Sequence, residues 1–110
     1  MLFRSTMAPN SNMSNLQRVG TRLQLAAGLD NLTWYGRGES DSYSDRKTGY
    51  DVGVWSSTVD EQFTNYVYAQ ETGNKTDVRW MAVTDADGDG LLVDAQIGRA
   101  SCRERVYVLV

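Results

Sequence analysis

Hydrophobic and polar residues alternate in a series of short runs through the middle of the chain. A period of two places successive side chains on opposite faces, as in half-buried β-strands. The runs are separated by clusters of glycine, asparagine and aspartate that are typical of turns. No segment sustains the 3.6-residue period of a helix. The pattern predicts an antiparallel, all-β sandwich of six strands, near residues 18–25, 32–35, 49–59, 62–70, 77–84 and 90–94.

The fifth run, DVRWMAVT, carries large apolar residues at both odd and even positions. Strict alternation would place Val78, Trp80 and Ala82 on one face. Met81 and Val83 would then lie on the other face. We therefore expect both faces of this strand to be covered.

Three aspartates in the stretch TDADGDGLLVDAQ, residues 84–96, resemble the first half of a calcium-binding loop. A complete loop of this kind needs a preceding helix and a bidentate glutamate at its twelfth position. A strand-like run precedes Asp85, and Gln96 occupies the twelfth position. Asp and Gly between two apolar runs favour a hairpin turn. We predict a hairpin without a metal site; the alternative is a weak calcium site.

The composition of the chain disfavours several classes of protein function. The chain has 110 residues, which suffices for one domain, and 41% of them are hydrophobic. Its net charge of -3 disfavours a nucleic-acid partner. No apolar run approaches the roughly 20 residues that a membrane span needs. With no histidine and one cysteine, neither a Cys/His zinc site nor a histidine-activated nucleophile is expected.

The stretch from Trp34 to Phe63 begins WYGRGESDSYSDR, and residues 66–80 read YVYAQETGNKTDVRW. These motifs resemble the C-terminal small-chain (domain 5-like) region of bacterial β-galactosidases of the glycoside hydrolase family 2 type. The similarity extends over about residues 6–96 and includes the hairpin. Glu39 stands where the family pattern has proline, and Asp41 stands where it has glutamate. Because proline pre-sets a turn, we expect a looser loop here.

This resemblance implies an incomplete β-sandwich, part of a galactose mutarotase-like supersandwich that packs beside a TIM barrel. It implies an enzyme that hydrolyses terminal β-D-galactose residues, with both catalytic glutamates on the barrel. The expected partners are the rest of that chain and a galactoside; no cofactor is expected, and a homo-oligomer is compatible with the assignment. The compartment, bacterial cytoplasm or periplasm, is left open. The alternative is a free-standing carbohydrate-binding β-sandwich module.

Glycoside hydrolysis usually needs two carboxylates that flank the scissile bond. A pair chosen from sequence alone is not specific, because exposed acidic residues are the default on a protein surface. The resemblance decides against them, so no catalytic residue is predicted in this chain. The carboxylates considered are Glu39, Asp41, Asp45, Asp60, Glu61 and Glu71.

The resemblance implies that the loop from Gly36 to Arg46 faces the active-site mouth of the barrel. Functional loops are often carried on rigid scaffolds in this way. One interpretation is that Asp45 and Arg46 pair to fix a turn while Tyr43 packs. In the other, the loop lies near the sugar. The candidate residues are Gly36, Gly38, Asp41, Tyr43, Asp45 and Arg46.

The three tryptophans have two candidate roles. An aromatic face can stack on the apolar face of a sugar. Each tryptophan also lies in a strand pattern, where core packing is the more common role. We expect core packing for Trp34, Trp55 and Trp80.

The two ends do not fit the strand pattern. Residues 97–106, IGRASCRERV, are what ATC GGA AGA GCG TCG TGT AGG GAA AGA GTG encodes, which resembles a sequencing-library adapter. The residues LFRS after Met1 are what CTC TTC CGA TCT encodes, which resembles the opposite adapter. We expect residues 1–5 and 97–110 to be adapter-derived. Residues 6–96 would then be the N-terminal part of the small-chain domain; the alternative is a divergent natural tail.

Overall fold

The computed structural model of the chain describes residues 8, 10, 12 and 23–94. In this part of the chain one antiparallel sheet forms, in the order β2-β1-β3-β4. The prediction of an all-β fold is confirmed, and one open layer fits an incomplete sandwich. No helix among these residues is long and apolar enough to cross a membrane. The elements are β1 (Asn31–Arg37), β2 (Val52–Thr58), a 3₁₀ turn (Asp60–Gln62), β3 (Thr76–Thr84) and β4 (Gly90–Asp94).

The register of the strands sorts their side chains into two faces, because directly opposed residues of antiparallel strands point to the same side. On the face that we call the core face, the cross-strand rows are Trp55–Trp34–Met81–Val93 and Ser57–Leu32–Val83–Leu91. On the other, which we call the outer face, the rows are Val54–Tyr35–Trp80–Asp94 and Ser56–Thr33–Ala82–Leu92. The buried core consists of Leu32, Trp34, Val78, Met81 and Val83.

An irregularity in the β1–β3 pairing changes the expected alternation of β3. The register shifts between Tyr35 and Arg37, and Asp77 adopts a φ of 53°, which is rare for a non-glycine residue. Val78 and Met81 are consequently both buried in one core cluster. The prediction that they lie on opposite faces is wrong, because a bulge shifts the side-chain alternation of the strand.

The prediction of a strand at residues 62–70 is also wrong. Gln62 ends the 3₁₀ turn, and residues 63–70 follow it as irregular chain that pairs with no described strand. Val67 is 98% exposed and Tyr68 84%. Abundant β-forming residues are insufficient here, because β propensity reflects packing on a half-buried sheet surface.

The first predicted strand, residues 18–25, lies partly outside the described residues. Its described end, residues 23–25, is not a strand. Leu23 is exposed in this segment. The prediction is therefore wrong for these three residues and stays untested for residues 18–22.

The hairpin between β3 and β4 forms as predicted. The Asp85 amide donates to the Asp89 carbonyl at 2.9 Å, and Asp85 Oδ1 accepts from the amides of Asp87 and Asp89, both at 3.0 Å. Gly88 supplies the positive φ, 89°. Asp85 thus stabilises the turn through its own side chain. Residues 23–94 contain no group of three or more side chains that could hold a metal ion.

Candidate functional site

The loop Gly36–Arg46, called the 36–46 loop below, leaves the end of β1 along a tightly constrained path. A Cβ on Gly36 would lie 3.0 Å from Val78 Cγ2. Gly38 has a φ of 79°, and a Cβ there would lie 2.6 Å from the ring of Tyr50. Its amide donates to the Asp51 carbonyl at 3.0 Å. Both candidate glycines are therefore needed for the local backbone path.

Buried polar contacts fix the middle of the loop against the start of β3. Ser42 is fully buried, and its amide donates to the Asn74 carbonyl at 2.7 Å. The Asn74 side-chain amide donates to the Ser42 carbonyl at 2.6 Å. The Ser42 hydroxyl lies 2.8 Å from that of Thr76 and accepts from the Thr76 amide at 3.1 Å. Burial in a low-polarity environment makes such contacts costly to break.

A second group of contacts surrounds the guanidinium of Arg46. Asp41, Tyr43, Arg46 and Tyr66 form this group, which we call the Arg46 cluster. Arg46 Nη2 donates to the Tyr66 hydroxyl at 2.7 Å, and that hydroxyl donates to Asp41 Oδ2 at 2.5 Å. The guanidinium carbon lies 4.5 Å from the ring centroid of Tyr43 and 4.9 Å from that of Tyr66. These are cation–π distances.

The cluster changes the acidity of its two phenols. The hydrogen bond to Asp41 raises the pKa of Tyr66, because ionisation would remove the donated proton and place two negative charges together. Burial, followed by the charge of Asp41, raises the pKa of Tyr43. Tyr43 also donates to the Glu71 carbonyl at 2.7 Å. Both hydroxyls therefore act as neutral hydrogen-bond donors.

A third group of contacts, centred on Asp77, fixes Arg37 near the start of the loop and Lys47 just after its end. Asp77 accepts hydrogen bonds from Arg37 Nε at 2.8 Å and from Lys47 Nζ at 3.0 and 3.1 Å. Arg37 also donates to the Tyr50 carbonyl at 2.9 Å. Burial disfavours the charged form of Asp77, but the bonds from Arg37 and Lys47 outweigh it and lower the pKa of the carboxyl.

Lys75 lies beneath this region as a buried cation. Its ammonium is 4.7 Å from the ring centroid of Trp34, and the residue is only 9% exposed. Burial lowers the pKa of Lys75 to about 8, against the opposing attraction of Asp41. The ring thus partly replaces lost hydration.

The predicted site residues fall into three groups. Asp41, Tyr43 and Arg46 come together in the Arg46 cluster, while Gly36 and Gly38 shape the backbone. Asp45 is exposed. Arg46 contacts Asp41, at 3.7 Å, rather than Asp45. The predicted Asp45–Arg46 pair is therefore not formed.

Sequence reasoning missed Ser42, Tyr66 and Asn74 as partners in this region. Tyr66 is 25 residues from Asp41, and Asn74 is 32 residues from Ser42. The predicted strand at 62–70, which includes Tyr66, does not form. In the sequence, the only link between the loop and these residues is that the motifs shared with the family include both the loop and residues 66–80.

The tryptophans take mainly structural positions. Trp34 is 1% exposed and donates from Nε1 to the Gly38 carbonyl at 3.2 Å. Trp55 packs against the core and donates to the Gly36 carbonyl at 3.2 Å. Core packing is confirmed for these two. Trp80 is half-buried on the outer face, 6.4 Å from the ring of Tyr35, so the core prediction is wrong for it.

The chain is similar to known proteins over most of its length. The family model described as "Beta galactosidase small chain" matches residues 3–105. A β-galactosidase of Priestia megaterium is 42% identical over 93 residues, which are 84% of this chain and 9% of that protein. The β-galactosidase BgaC of Bifidobacterium adolescentis is 36% identical over 81% of this chain and 8% of its own length. A β-galactosidase of Halalkalibacterium halodurans is 37% identical over 74% and 8%.

Proposed function

The chain belongs to the β-galactosidase small-chain family, and on that premise we propose that it is an accessory sandwich region of an enzyme that hydrolyses terminal β-D-galactose residues. The observation that carries the proposal is the family match over residues 3–105. The chain spans only 8–9% of the length of the relatives cited. The activity of the whole enzyme therefore requires protein beyond this chain.

We infer that the isolated chain has no galactosidase activity of its own. A general acid in glycoside hydrolysis needs a raised pKa at neutral pH. Hydrogen bonds from Thr58, first of all from its backbone amide, lower the pKa of Glu61. The pKa of Asp77 is also lowered. A lowered pKa keeps the carboxyls of Glu61 and Asp77 ionised at neutral pH, which suits a structural role and not that of a general acid.

We propose that the 36–46 loop borders the galactoside site and contributes to carbohydrate binding. Its constrained backbone and the Arg46 cluster would hold the polar groups of the loop in one arrangement. Such preorganisation lowers the entropy lost on binding. The rest of the enzyme chain would supply the catalytic carboxylates.

Two proteins that contain this sequence test the proposed function. The pure 110-residue chain should not cleave a chromogenic β-galactoside. A chimera of the Priestia megaterium β-galactosidase, with the matched segment replaced by the corresponding residues of this chain, should cleave it. Turnover by the isolated chain would contradict the proposal, as would an inactive chimera that is folded.

A third measurement separates this proposal from a free-standing carbohydrate-binding module. Isothermal titration of the isolated chain with galactose and lactose should show no binding at millimolar sugar. Binding by the chain alone, together with an inactive folded chimera, would favour the module.

A further inference from the structure

The segment between the 3₁₀ turn and β3, residues 63–75, lies along the 36–46 loop without forming a strand with it. It contacts the loop through the Tyr66 hydroxyl, the Glu71 carbonyl, and the backbone carbonyl and side-chain NH2 group of Asn74. Of these groups, only the Tyr66 hydroxyl contacts two loop side chains at once. It accepts from Arg46 and donates to Asp41.

We propose that Tyr66 is a positioning residue that holds the 36–46 loop in one conformation through this bridge. The inference deepens the proposed function and rests on it for its catalytic consequence. A hydroxyl can donate and accept simultaneously, so Tyr66 satisfies a cation and an anion together. Phenylalanine at this position would preserve the ring but lose both bonds.

The direct attraction between Arg46 and Asp41 does not suffice for this role. Their nearest atoms are 3.7 Å apart, and the Arg46 side chain is 45% exposed. Ion pairs with such exposure contribute little, because water screens the charges. The Asp41 side chain is 9% exposed, and a carboxylate that poorly hydrated needs a hydrogen-bond donor. The Tyr66 hydroxyl supplies that donor at 2.5 Å.

The aromatic part of Tyr66 contributes separately. Its ring centroid lies 4.9 Å from the guanidinium carbon of Arg46, and that of Tyr43 lies 4.5 Å from the same atom. Tyr66→Phe therefore isolates the hydroxyl from the ring. Tyr68→Phe is a matched control, because Tyr68 is 84% exposed two residues away.

Hydrogen exchange on the full 110-residue chain tests the positioning role directly. Tyr66→Phe should raise exchange about tenfold at the loop amides of Ser42 and Arg46, as expected for loss of about one charge-assisted hydrogen bond. Amides of β1 and β3 should be unchanged. Tyr68→Phe should leave the loop unchanged. Equal exchange rates of the loop amides in the parent and in Tyr66→Phe would overturn the inference, and so would loop amides that are unprotected in both proteins. Faster exchange of amides throughout the sheet would also overturn it.

A double-variant comparison tests the bridge itself. Asp41→Ala removes the acceptor of the Tyr66 hydroxyl. If the two residues act as a unit, Tyr66→Phe should change the exchange rates of the loop amides much less in the Asp41→Ala background than in the parent chain. Fully additive effects would overturn the bridge.

Kinetics of the chimera separate this inference from the proposed function. A loop that spends less time in its binding conformation reduces apparent affinity in proportion. Tyr66→Phe should therefore raise KM severalfold with kcat largely retained, and Tyr68→Phe should change neither. Faster loop exchange with unchanged kinetics would support the positioning role and contradict the placement of the loop at the sugar site. Unchanged loop exchange with altered kinetics would overturn the positioning role.

Discussion

Gly38 is the residue at which the backbone of the 36–46 loop tolerates least change. Alanine there would combine a φ of 79° with a Cβ 2.6 Å from Tyr50. We expect Gly38→Ala to lower the free energy of unfolding by about 1–3 kcal/mol, through strain that an L-residue cannot relieve. Urea unfolding followed by tryptophan fluorescence would measure this change.

Gly49→Ala is the matched control for Gly38→Ala. A Cβ at Gly49 meets no heavy atom within 4 Å, and its φ is not in the left-handed region. Its effect should be small or slightly stabilising. Equal losses in the two variants would show that the constraint at Gly38 is absent.

Asp77 should make the stability of the fold depend on acid pH. Its folded pKa lies below the unfolded value, so its contribution is present above the ordinary aspartate pKa of about 3.9 and is lost as pH falls through the folded pKa. We expect Asp77→Asn to cost up to about 1 kcal/mol at pH 7, since the side chain is one-third exposed and screened. Asparagine also tolerates the positive φ of this position.

Thermal melts of the parent and Asp77→Asn from pH 7 to pH 2 would test this dependence. The difference in Tm should shrink below pH 4 and vanish once the parent carboxyl is protonated. Asp51→Asn, an exposed control, should show no comparable difference. A difference that is constant across the pH range would rule out the charge of Asp77 as its cause.

At the same scale, three of the four members of the Arg46 cluster are among the candidate residues predicted from the sequence. Asp41, Tyr43 and Arg46 are close in sequence and belong to one motif, so their proximity could be predicted. Tyr66 could not be paired with them, because hydrogen bonds between distant segments leave no periodic signal. The interpretation that Asp45 and Arg46 pair is wrong, because adjacent side chains in a turn can point apart and Arg46 contacts Asp41 instead.

Among the elements, the β3–β4 hairpin is the best test of side-chain control over a turn. Asp85→Ala removes the acceptor for two backbone amides and should cost about 0.5–2 kcal/mol, as the loss of a capping side chain does in helices. Asp87→Ala is the control, because its side chain is exposed in the same turn. Unfolding midpoints in urea would compare them. Equal midpoints for both variants would contradict the role of Asp85.

Calcium provides a second measurement on the same element. A ligand that binds only the folded state raises stability by about 2.7 kcal/mol at a hundredfold excess over its Kd. We expect millimolar calcium to leave the Tm unchanged, because Asp85 already accepts from the backbone. A rise in Tm with calcium that is lost in Asp85→Asn would contradict the hairpin interpretation.

The predicted elements succeeded where a run had both β-forming residues and a neighbouring strand. β1, β2, β3 and β4 all lie within or near their predicted runs. Residues 62–70 are equally rich in such residues, yet no described strand lies beside them. The bulge in β3 was also unpredictable, since it is a feature of the β1–β3 pairing, whose register shifts between Tyr35 and Arg37. Pairing is a property of two segments, and a one-dimensional pattern contains only one of them.

At the scale of the whole molecule, the sheet is covered unequally. The core face buries Leu32, Trp34 and Met81, whereas Val54 on the outer face is 61% exposed and Leu92 is 66% exposed. Large apolar side chains that are exposed together on one sheet face often pack against other protein. The chain spans 8–9% of the length of the relatives cited.

We therefore expect the isolated chain to self-associate through its outer face. The double variant Val54→Lys/Leu92→Lys should shift the chain toward monomer, because lysine on an exposed strand opposes both apolar contact and edge pairing. A control with the same added charge away from the sheet, Gln70→Lys/Ala86→Lys, should retain association. Sedimentation velocity across a hundredfold range of protein concentration would compare the three proteins. A monomeric parent would contradict the expectation, and equal dissociation by the control would attribute the effect to net charge instead of the sheet face.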